Sequence, residues 1–499
     1  MKSFYITLLC ALLICINATS QTDNCEGNWL STSGNKLLDS DGNEVILAGV
    51  NWFGFETQIS IPHGLYARDI EGMLQQTKDL GFNCLRIPWH NMMLRDGATF
   101  QEANYWVKDP YTYDGTPENG PYSNLGLQGL TKPIEVMDYL IQWCQDNDMK
   151  VILDCHSRNP DAYLVEKLWY TENVSEEQWI EDWVFMTNRY KDFDAVIGMD
   201  INNEPNGKID NPEGARWGTN DQYDWRLAAE KCGNAILAAN PNVLIMVEGI
   251  EAYNKPDGTE TSYWWGGNLQ GARDFPVRLS DPTKLMYSPH EYGPTVFAQE
   301  WFTAADFPDN MPGIWEEQFN FLNTEGTSPL LIGELGIKGQ GGLDEIWFQK
   351  FIDFIKEKKL HFTFWALNPN SGDTGGIFDN DWSTVVQWKM DYLQPILSNP
   401  IPNCSAGNVL SINDLSDISF SVYPNPATQI INFSFKEGTI ASIGIYDLNG
   451  REISVLDDNE VLSSNSYTYD VSKLALGMYL SKVTLANSKE TFTKKILIQ

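Results

Sequence analysis

The chain has 499 residues, 42% apolar and 20% charged, with a formal net charge of −33. That length suits one large domain with an accessory one, and the composition excludes global disorder. The acidic excess excludes nucleic acid and anionic membrane as partners, since phosphates would be repelled, and it fits a neutral substrate met by a solvated, exported protein.

At the N-terminus, Lys2 precedes an apolar run, Phe4–Ile16, and the small residues Ala18-Thr19-Ser20. This reads as a signal peptide over 1–20, cleaved before Gln21. No later stretch approaches about 20 apolar residues, so the mature protein is expected without a membrane span. Cys10 and Cys15 leave with the signal. Cys84 and Cys155 lie in strand-like runs and Cys144 and Cys232 in helix-like ones, and all four are expected as buried thiols. Cys25 and Cys404 flank the large domain in polar sequence and are expected to pair. The chain has no C-x-x-C, no His cluster at metal spacing and no Gly-rich phosphate loop, so no metal or cofactor is expected.

Eight short apolar runs follow: Glu44–Trp52, Phe82–Trp89, Lys150–His156, Ala195–Glu204, Val243–Gly249, Leu285–Tyr292, Pro329–Gly336 and His361–Asn368. Rich in Val, Ile and Leu and lacking strict alternation, they read as buried parallel strands. Helical periodicity lies between them at Arg68–Leu80, Pro133–Asp146, Trp179–Lys191, Asp224–Ala239, Glu345–Lys358 and Thr384–Ser398. Pro133 fits a first helical turn, and Ser175 with Gln178 forms a capping-box pattern. Eight such units predict an α/β fold, a (β/α)8 TIM barrel, over 21–400; a doubly wound open sheet is the competitor. Residues 401–416 read as a linker. From 417 to 499 come alternating strands, Phe420–Tyr423, Ile430–Phe435, Ile443–Asp447, Met478–Leu485 and Phe492–Ile498, with an Asn449-Gly450 turn: a small all-β, sandwich-like domain.

In a parallel barrel the chemistry sits at the carboxyl ends of the strands. The second run ends Arg86-Ile87-Pro88-Trp89, the third Asp154-Cys155-His156, the fourth Asn202-Asn203-Glu204-Pro205, the sixth His290-Glu291-Tyr292, the seventh Gly333-Glu334-Leu335-Gly336, and the eighth has Trp365 before Asn368. Polar groups ending apolar strands cost burial energy unless they face a wet cleft or each other. Any one could be structural, but the set converges on one mouth. Two glutamates without a metal-ligand set or nucleophile elbow suggest glycoside hydrolysis, in which one carboxyl protonates the leaving oxygen and the other attacks the anomeric carbon. Arg86 and the Tyr292 hydroxyl would stabilise an ionised Glu334, whereas Glu204 has no obvious cation. Asn203 can bond a sugar 2-hydroxyl.

With these residues in view, residues 28–397 resemble glycoside hydrolase family 5, clan A, and within it the secreted bacterial endo-β-1,4-glucanases. The likeness is carried by Ala48-Gly49-Val50-Asn51-Trp52-Phe53-Gly54-Phe55-Glu56-Thr57, Trp225-Arg226-Leu227-Ala228-Ala229-Glu230, Tyr263-Trp264-Trp265-Gly266-Gly267-Asn268-Leu269-Gln270-Gly271, Asn310-Met311-Pro312-Gly313-Ile314-Trp315 and Asn368-Pro369-Asn370-Ser371-Gly372-Asp373-Thr374-Gly375-Gly376. The resemblance implies a retaining cellulase acting on cellulose or a related β-glucan, with Glu204 as acid/base, Glu334 as nucleophile, and Arg86, His156, Asn203, His290, Tyr292 and Trp365 completing the site. Trp52, Trp264 and Trp265 become candidates for cleft lining, with core packing the competing reading for each, and His63 for a neighbouring sugar contact. The loop Ser157–Lys167 departs from the family pattern, and a cysteine pair often seen between it and the first-strand loop is missing, since Gln58 follows Thr57. Phe297 is placed toward the leaving-group side.

The tail resembles the C-terminal sorting domain of type IX secretion, through Val422-Tyr423-Pro424-Asn425-Pro426-Ala427, Ile445-Tyr446-Asp447-Leu448-Asn449-Gly450-Arg451, Leu476-Gly477-Met478-Tyr479 and the closing Lys494-Lys495-Ile496-Leu497-Ile498. That implies the secretion machinery as a partner and a secreted or surface-attached protein, expected as a monomer. Mannan, xyloglucan or mixed-linkage glucan remain alternative substrates, a non-hydrolytic glycan-binding protein an alternative function, and a carbohydrate-binding module an alternative tail.

Overall fold

The computed structural model describes residues 27–100, 124–127, 129–160, 165–211, 213–404, 420–423, 427–435, 440–446, 451–456, 466–485 and 491–498. The chain divides into two compact units, Met1–Gly407 and Asn408–Gln499. The signal peptide, Cys25, residues 405–416 and the Asn449-Gly450 turn lie outside the described residues.

In the first unit the barrel strands are β1 (Ala48–Asn51), β2 (Cys84–His90), β3 (Lys150–Ser157), β4 (Val196–Asp200), β5 (Leu244–Val247), β6 in two pieces (Leu285–Tyr287 and His290–Tyr292), β7 (Leu331–Gly336) and β8 (His361–Phe364). Pairing is parallel throughout and runs from the first piece of β6 through β5, β4, β3, β2, β1, β8 and β7 to the second piece of β6. Because the series begins and ends on one strand, the sheet closes into a (β/α)8 barrel. The sixth run breaks at Ser288-Pro289, where proline has no N–H for the ladder. There Ser288 N–H still bonds Val247 O on β5, and Pro289 O accepts from Gly333 N on β7, so the break hands the strand from one neighbour to the other.

The outer helices are α1 (Ile70–Asp79), α2 (Pro133–Asp146), α3 (Glu176–Arg189), α4 (Trp225–Ala239), the short α5 (Gly271–Asp274), α6 (Met311–Trp315) leading through a π-turn into α7 (Phe321–Thr324), α8 (Gly342–Lys358) and α9 (Gln387–Leu393). Asp69, Ser175 and Asp224 cap α1, α3 and α4, each accepting a first-turn N–H that has no intrahelical partner. The expected helix over Thr384–Ser398 is shorter than its apolar pattern. Asp381 draws the N–H groups of Ser383 and Thr384 into a turn, and Pro395 cannot continue the α-helical ladder beyond Leu393.

Side chains on a strand alternate, so residues two apart share a face. Inside the barrel this produces two layers. Cys84, Ile152 and Met246 belong to an apolar plug that also includes Leu30, Leu37 and Ile401. Two positions further along the same strands come Arg86, Asp154 and Glu248, all buried. Ile401 corrects the expected linker boundary. Its side chain is buried in that plug, and Cys404 N–H bonds Asp194 Oδ2 at 2.6 Å, so residues 401–404 complete the barrel. Cys84, Cys144, Cys155 and Cys232 are buried free thiols. Cys404 is disulfide-bonded.

The second unit carries β9 (Phe420–Tyr423), β10 (Ile430–Phe435), β11 (Ile440–Tyr446), β12 (Glu452–Leu456), β13 (Ser466–Asp470), β14 (Gly477–Leu485) and β15 (Thr491–Ile498). They form two antiparallel sheets, β9-β10-β13 and β12-β11-β14-β15, around Ile431, Phe433, Ile443, Ile445, Val483 and Ile496. β12 and β13 are additions to the expected strands. β13 alternates between exposed and half-buried residues and so shows no apolar run in the sequence. Among the described residues no helix is long and apolar enough to cross a membrane.

Candidate active site

The upper layer of the barrel is organised around Arg86. Its Nε donates to Asp200 Oδ2 at 2.9 Å, its Nη1 to Asn51 Oδ1 at 3.0 Å and Glu334 Oε1 at 2.8 Å, and its Nη2 to Asn203 Oδ1 at 2.9 Å and Glu248 Oε1 at 3.1 Å. Asp154 Oδ2 lies 3.2 Å from Nη2. A planar guanidinium that stays charged is the one side chain able to satisfy acceptors on this many strands at once.

His290 and Glu334 are register partners on adjacent strands, which sets their side chains next to one another. His290 Nδ1 is 2.9 Å from Glu204 Oε1 and 3.6 Å from Glu334 Oε2, and Nε2 is 3.2 Å from Glu248 Oε1. Burial alone would push this imidazole down. The surrounding carboxylates, Glu248 and Glu334 first, outweigh burial and hold it well above the ordinary histidine range. The sequence reading that Glu204 has no cation is therefore corrected: a buried imidazolium touches it. Even so, Glu204 is held up at about 7, chiefly by burial, with Glu334 and Glu248 adding to it against the His290 contact. On the other side of the site, Tyr292 OH donates to Glu334 Oε2 at 2.6 Å. Glu204 and Glu334 thus have unlike surroundings, and carboxylate oxygens of the two lie within 4.8 Å of one another.

Glu204 also has φ of +45°. A left-handed conformation at a non-glycine residue costs about 1–3 kcal/mol and is characteristic of functional positions. Its N–H bonds Glu248 Oε2 at 2.7 Å. Gly266 lies over both groups with φ of +68°, where a Cβ would stand 2.4 Å from Glu248 Oε2 and 3.4 Å from Glu204 Cγ. Asn203 Oδ1 is taken by Arg86, and its buried Nδ2 has no hydrogen-bond partner, leaving a donor for a ligand oxygen.

On the opposite wall His156, Trp365 and Phe53 stack in sequence, His156 to Trp365 at 5.6 Å and 11°, Trp365 to Phe53 at 5.4 Å and 12°. Asp154 Oδ2 lies 2.6 Å from His156 Nδ1, and this carboxylate overcomes burial to raise the imidazole to about 9. Trp365 keeps a partly open face.

Several expectations are corrected. Trp52 is fully buried and its indole N–H donates to His63 O at 3.0 Å, so it packs in the core instead of lining a cleft. Trp264 is 7% exposed and meets Tyr292 edge-on, whereas Trp265 is 39% exposed and alone of the three offers an open face. Both ring nitrogens of His63 are committed, to Thr57 Oγ1 at 3.1 Å and Asn370 Nδ2 at 3.0 Å, so it braces the first-strand loop and has no nitrogen free for a sugar. Phe297 is 64% exposed. The departing loop after β3 is held by Glu166, which accepts from Arg158 N at 2.6 Å and from Asn159 N at 3.1 Å and Nδ2 at 2.9 Å.

Asp200 and Glu248 are site residues that sequence reasoning missed. Glu248 ends the fifth apolar run, and an acidic residue in that place was the available signal. Glu291, between His290 and Tyr292, faces outward instead, accepting from Tyr263 OH and from the indoles of Trp315 and Trp347.

Residues 38–371 match the family model of cellulase, glycosyl hydrolase family 5, and residues 421–499 match the secretion system C-terminal sorting domain. An endoglucanase of Paenibacillus polymyxa is 39% identical over 372 residues, covering 74% of this chain and 87% of its own. The major extracellular endoglucanase of Xanthomonas campestris pv. campestris is 40% identical over 366 residues, covering 72% and 69%. The solved catalytic domain of the latter superposes with a TM-score of 0.65 at 36% identity, covering 74% of this chain and 99% of that one. The endocellulase of Pyrococcus horikoshii, solved in complex with cellotetraose, has the same TM-score and identity and covers 74% and 98%. The chain belongs to the cellulase family, glycosyl hydrolase family 5, and carries a secretion sorting domain at its C-terminus.

Proposed function

We propose that this protein is a retaining endo-β-1,4-glucanase in which Glu334 is the nucleophile and Glu204 the acid/base. The observation that carries the assignment is the spacing and asymmetry of the pair. Oxygens within 4.8 Å suit direct attack by one carboxylate and leave no room for the intervening water that inversion requires. Glu334, held by Arg86 and Tyr292, is the ionised partner. Glu204, held protonated near neutrality by burial, is the acid.

In the first step Glu334 attacks the anomeric carbon while Glu204 gives its proton to the departing sugar oxygen. His290 Nδ1–H stays on Glu204 Oε1, which directs the proton to the other oxygen. In the second step Glu334 no longer carries charge as an ester, so Glu204 ionises more readily and takes a proton from the attacking water. The free Nδ2 of Asn203 suits the sugar 2-hydroxyl, a contact that strengthens as the oxocarbenium-like state develops. His156, Trp365 and Phe53 supply an aromatic wall for a sugar face.

Glucan is the substrate class that the names of the relatives favour, and the endocellulase solved with cellotetraose favours the β-1,4 linkage. Export by the signal peptide and the sorting domain, cell-surface or extracellular placement, a Cys25–Cys404 bond closing the barrel unit, and a monomeric state complete the reading. Proton NMR of fresh digests of cellulose, mixed-linkage glucan, xyloglucan and mannan oligosaccharides tests it. β-Anomeric ends appearing first, and fastest on the cellulose-type substrate, are expected. α-Anomeric ends, or turnover confined to mannan, would refute it.

A further inference from the structure

Glu248 directly follows β5 and has no exposed surface, and its two oxygens reach three groups. Oε1 is 3.1 Å from Arg86 Nη2 and 3.2 Å from His290 Nε2, and Oε2 accepts Glu204 N–H at 2.7 Å. Arg86 depends little on it, since Asp200, Asn51, Glu334, Asn203 and Asp154 already surround the guanidinium. The other two contacts both lead to Glu204. One holds its backbone in the left-handed conformation. The other is an ion-pair contact, short of a hydrogen bond, to His290 Nε2 at 3.2 Å, and the opposite nitrogen of that ring is 2.9 Å from the Glu204 carboxyl. A single carboxylate therefore fixes both ends of one side chain.

We infer that Glu248 is a positioning residue that aims the Glu204 carboxyl at the leaving-group oxygen. This rests on the assignment of Glu204 as acid/base. Glutamine cannot replace Glu248 in kind. Its single acceptor oxygen can serve Glu204 N–H or the His290 and Arg86 donors, and in either case its NH2 group then faces a donor. The defect should fall on proton donation, a step that a substrate with a good leaving group does not need.

The test compares kcat/KM, which reports glycosylation alone, on cellotetraose and on 2,4-dinitrophenyl β-cellobioside, for the full-length enzyme and the Glu248→Gln variant. We expect roughly a 100-fold or greater loss on cellotetraose and less than a fivefold loss on the activated glycoside, beyond anything ordinary loss of folded enzyme produces, since that lowers both equally. Gly266→Ala provides a second route if Glu248→Gln does not fold. Its methyl group would push the flexible end of Glu248 off Glu204 N–H without removing a charge, while straining the backbone at φ of +68°, and in the folded variant the same split should appear. Equal losses on both substrates in the folded variants, or no loss on either, would overturn the inference. Glu204→Ala is the control. If it shows the split and the Glu248 and Gly266 variants do not, the inference alone fails; if it shows no split, the acid/base assignment fails and the inference with it.

Discussion

His290 Nδ1 lies 2.9 Å from Glu204 Oε1, so the carboxyl assigned as acid shares a hydrogen bond with an imidazolium and still remains protonated near neutrality. Burial and the carboxylates of Glu334 and Glu248 raise Glu204, while His290 lowers it, and the result is about 7. Catalysis needs the protonated form of a group whose value has been raised, so activity is present below about pH 7 and is lost as pH rises through it. On a substrate with a sugar leaving group, kcat/KM should fall about tenfold per unit on the alkaline side. A pH–rate profile on cellotetraose checks this, and an alkaline limb at pH 5, near an ordinary glutamate, would contradict it.

Tyr292 OH donates to Glu334 Oε2 at 2.6 Å, a hydrogen bond to a charged acceptor. Such bonds contribute about 1.5–3 kcal/mol. Tyr292→Phe should therefore cost about that much stability, and it should also lower kcat, because Glu334 Oε2 loses the donor that aims it at the anomeric carbon. Steady-state kinetics paired with calorimetry measures the two losses separately.

Arg86 pairs with Asp154, Asp200, Glu248 and Glu334 together, all buried, and is the guanidinium among them in the described residues. Removing one partner of a buried ion pair costs about 3–5 kcal/mol, because the other charge is left uncompensated. Arg86→Met should lose at least that much stability along with its activity, as read by urea unfolding. A variant as stable as the parent would show that these carboxyls do not need the guanidinium.

Trp52 and Trp265 should respond in opposite ways. Trp52→Ala opens a cavity in the core and should cost about 3–5 kcal/mol of stability. Trp265→Ala removes a 39% exposed ring and should leave stability within about 0.5 kcal/mol. If Trp265 stacks on substrate, its loss should weaken cellotetraose binding to a Glu204→Gln background roughly tenfold by calorimetry. Unchanged affinity would remove it from the cleft.

The barrel was legible because each buried parallel strand leaves an apolar run, and the site because polar residues end those runs. What stayed hidden was set by direction and by contact. Asn51 points into the barrel, where it reaches Arg86, so Trp52 beside it must point out into the helix layer. Period-two reasoning at β1 could have separated the two. Trp264 and Trp265 sit in a loop, where no such period exists. Asp200 and Glu248 stand out in apolar runs as acids, but their role is defined by Arg86 and His290, which come from other strands. The missing cation at Glu204 has the same origin: His290 is 86 residues away in sequence and becomes its neighbour only when the barrel closes. The break in β6 was signalled by Ser288-Pro289, but the length of the apolar run concealed it.

Hydrolysis is expected to pass through a covalent intermediate on Glu334, with Glu204 as proton donor and then acceptor. Incubation with 2,4-dinitrophenyl 2-deoxy-2-fluoro-β-cellobioside, followed by intact mass and peptide mapping, tests it most directly. One fluorocellobiosyl group is expected, located on the peptide containing Glu334 and absent in Glu334→Gln. A label on Glu204, or no label from an enzyme that releases α-anomeric product, would contradict it.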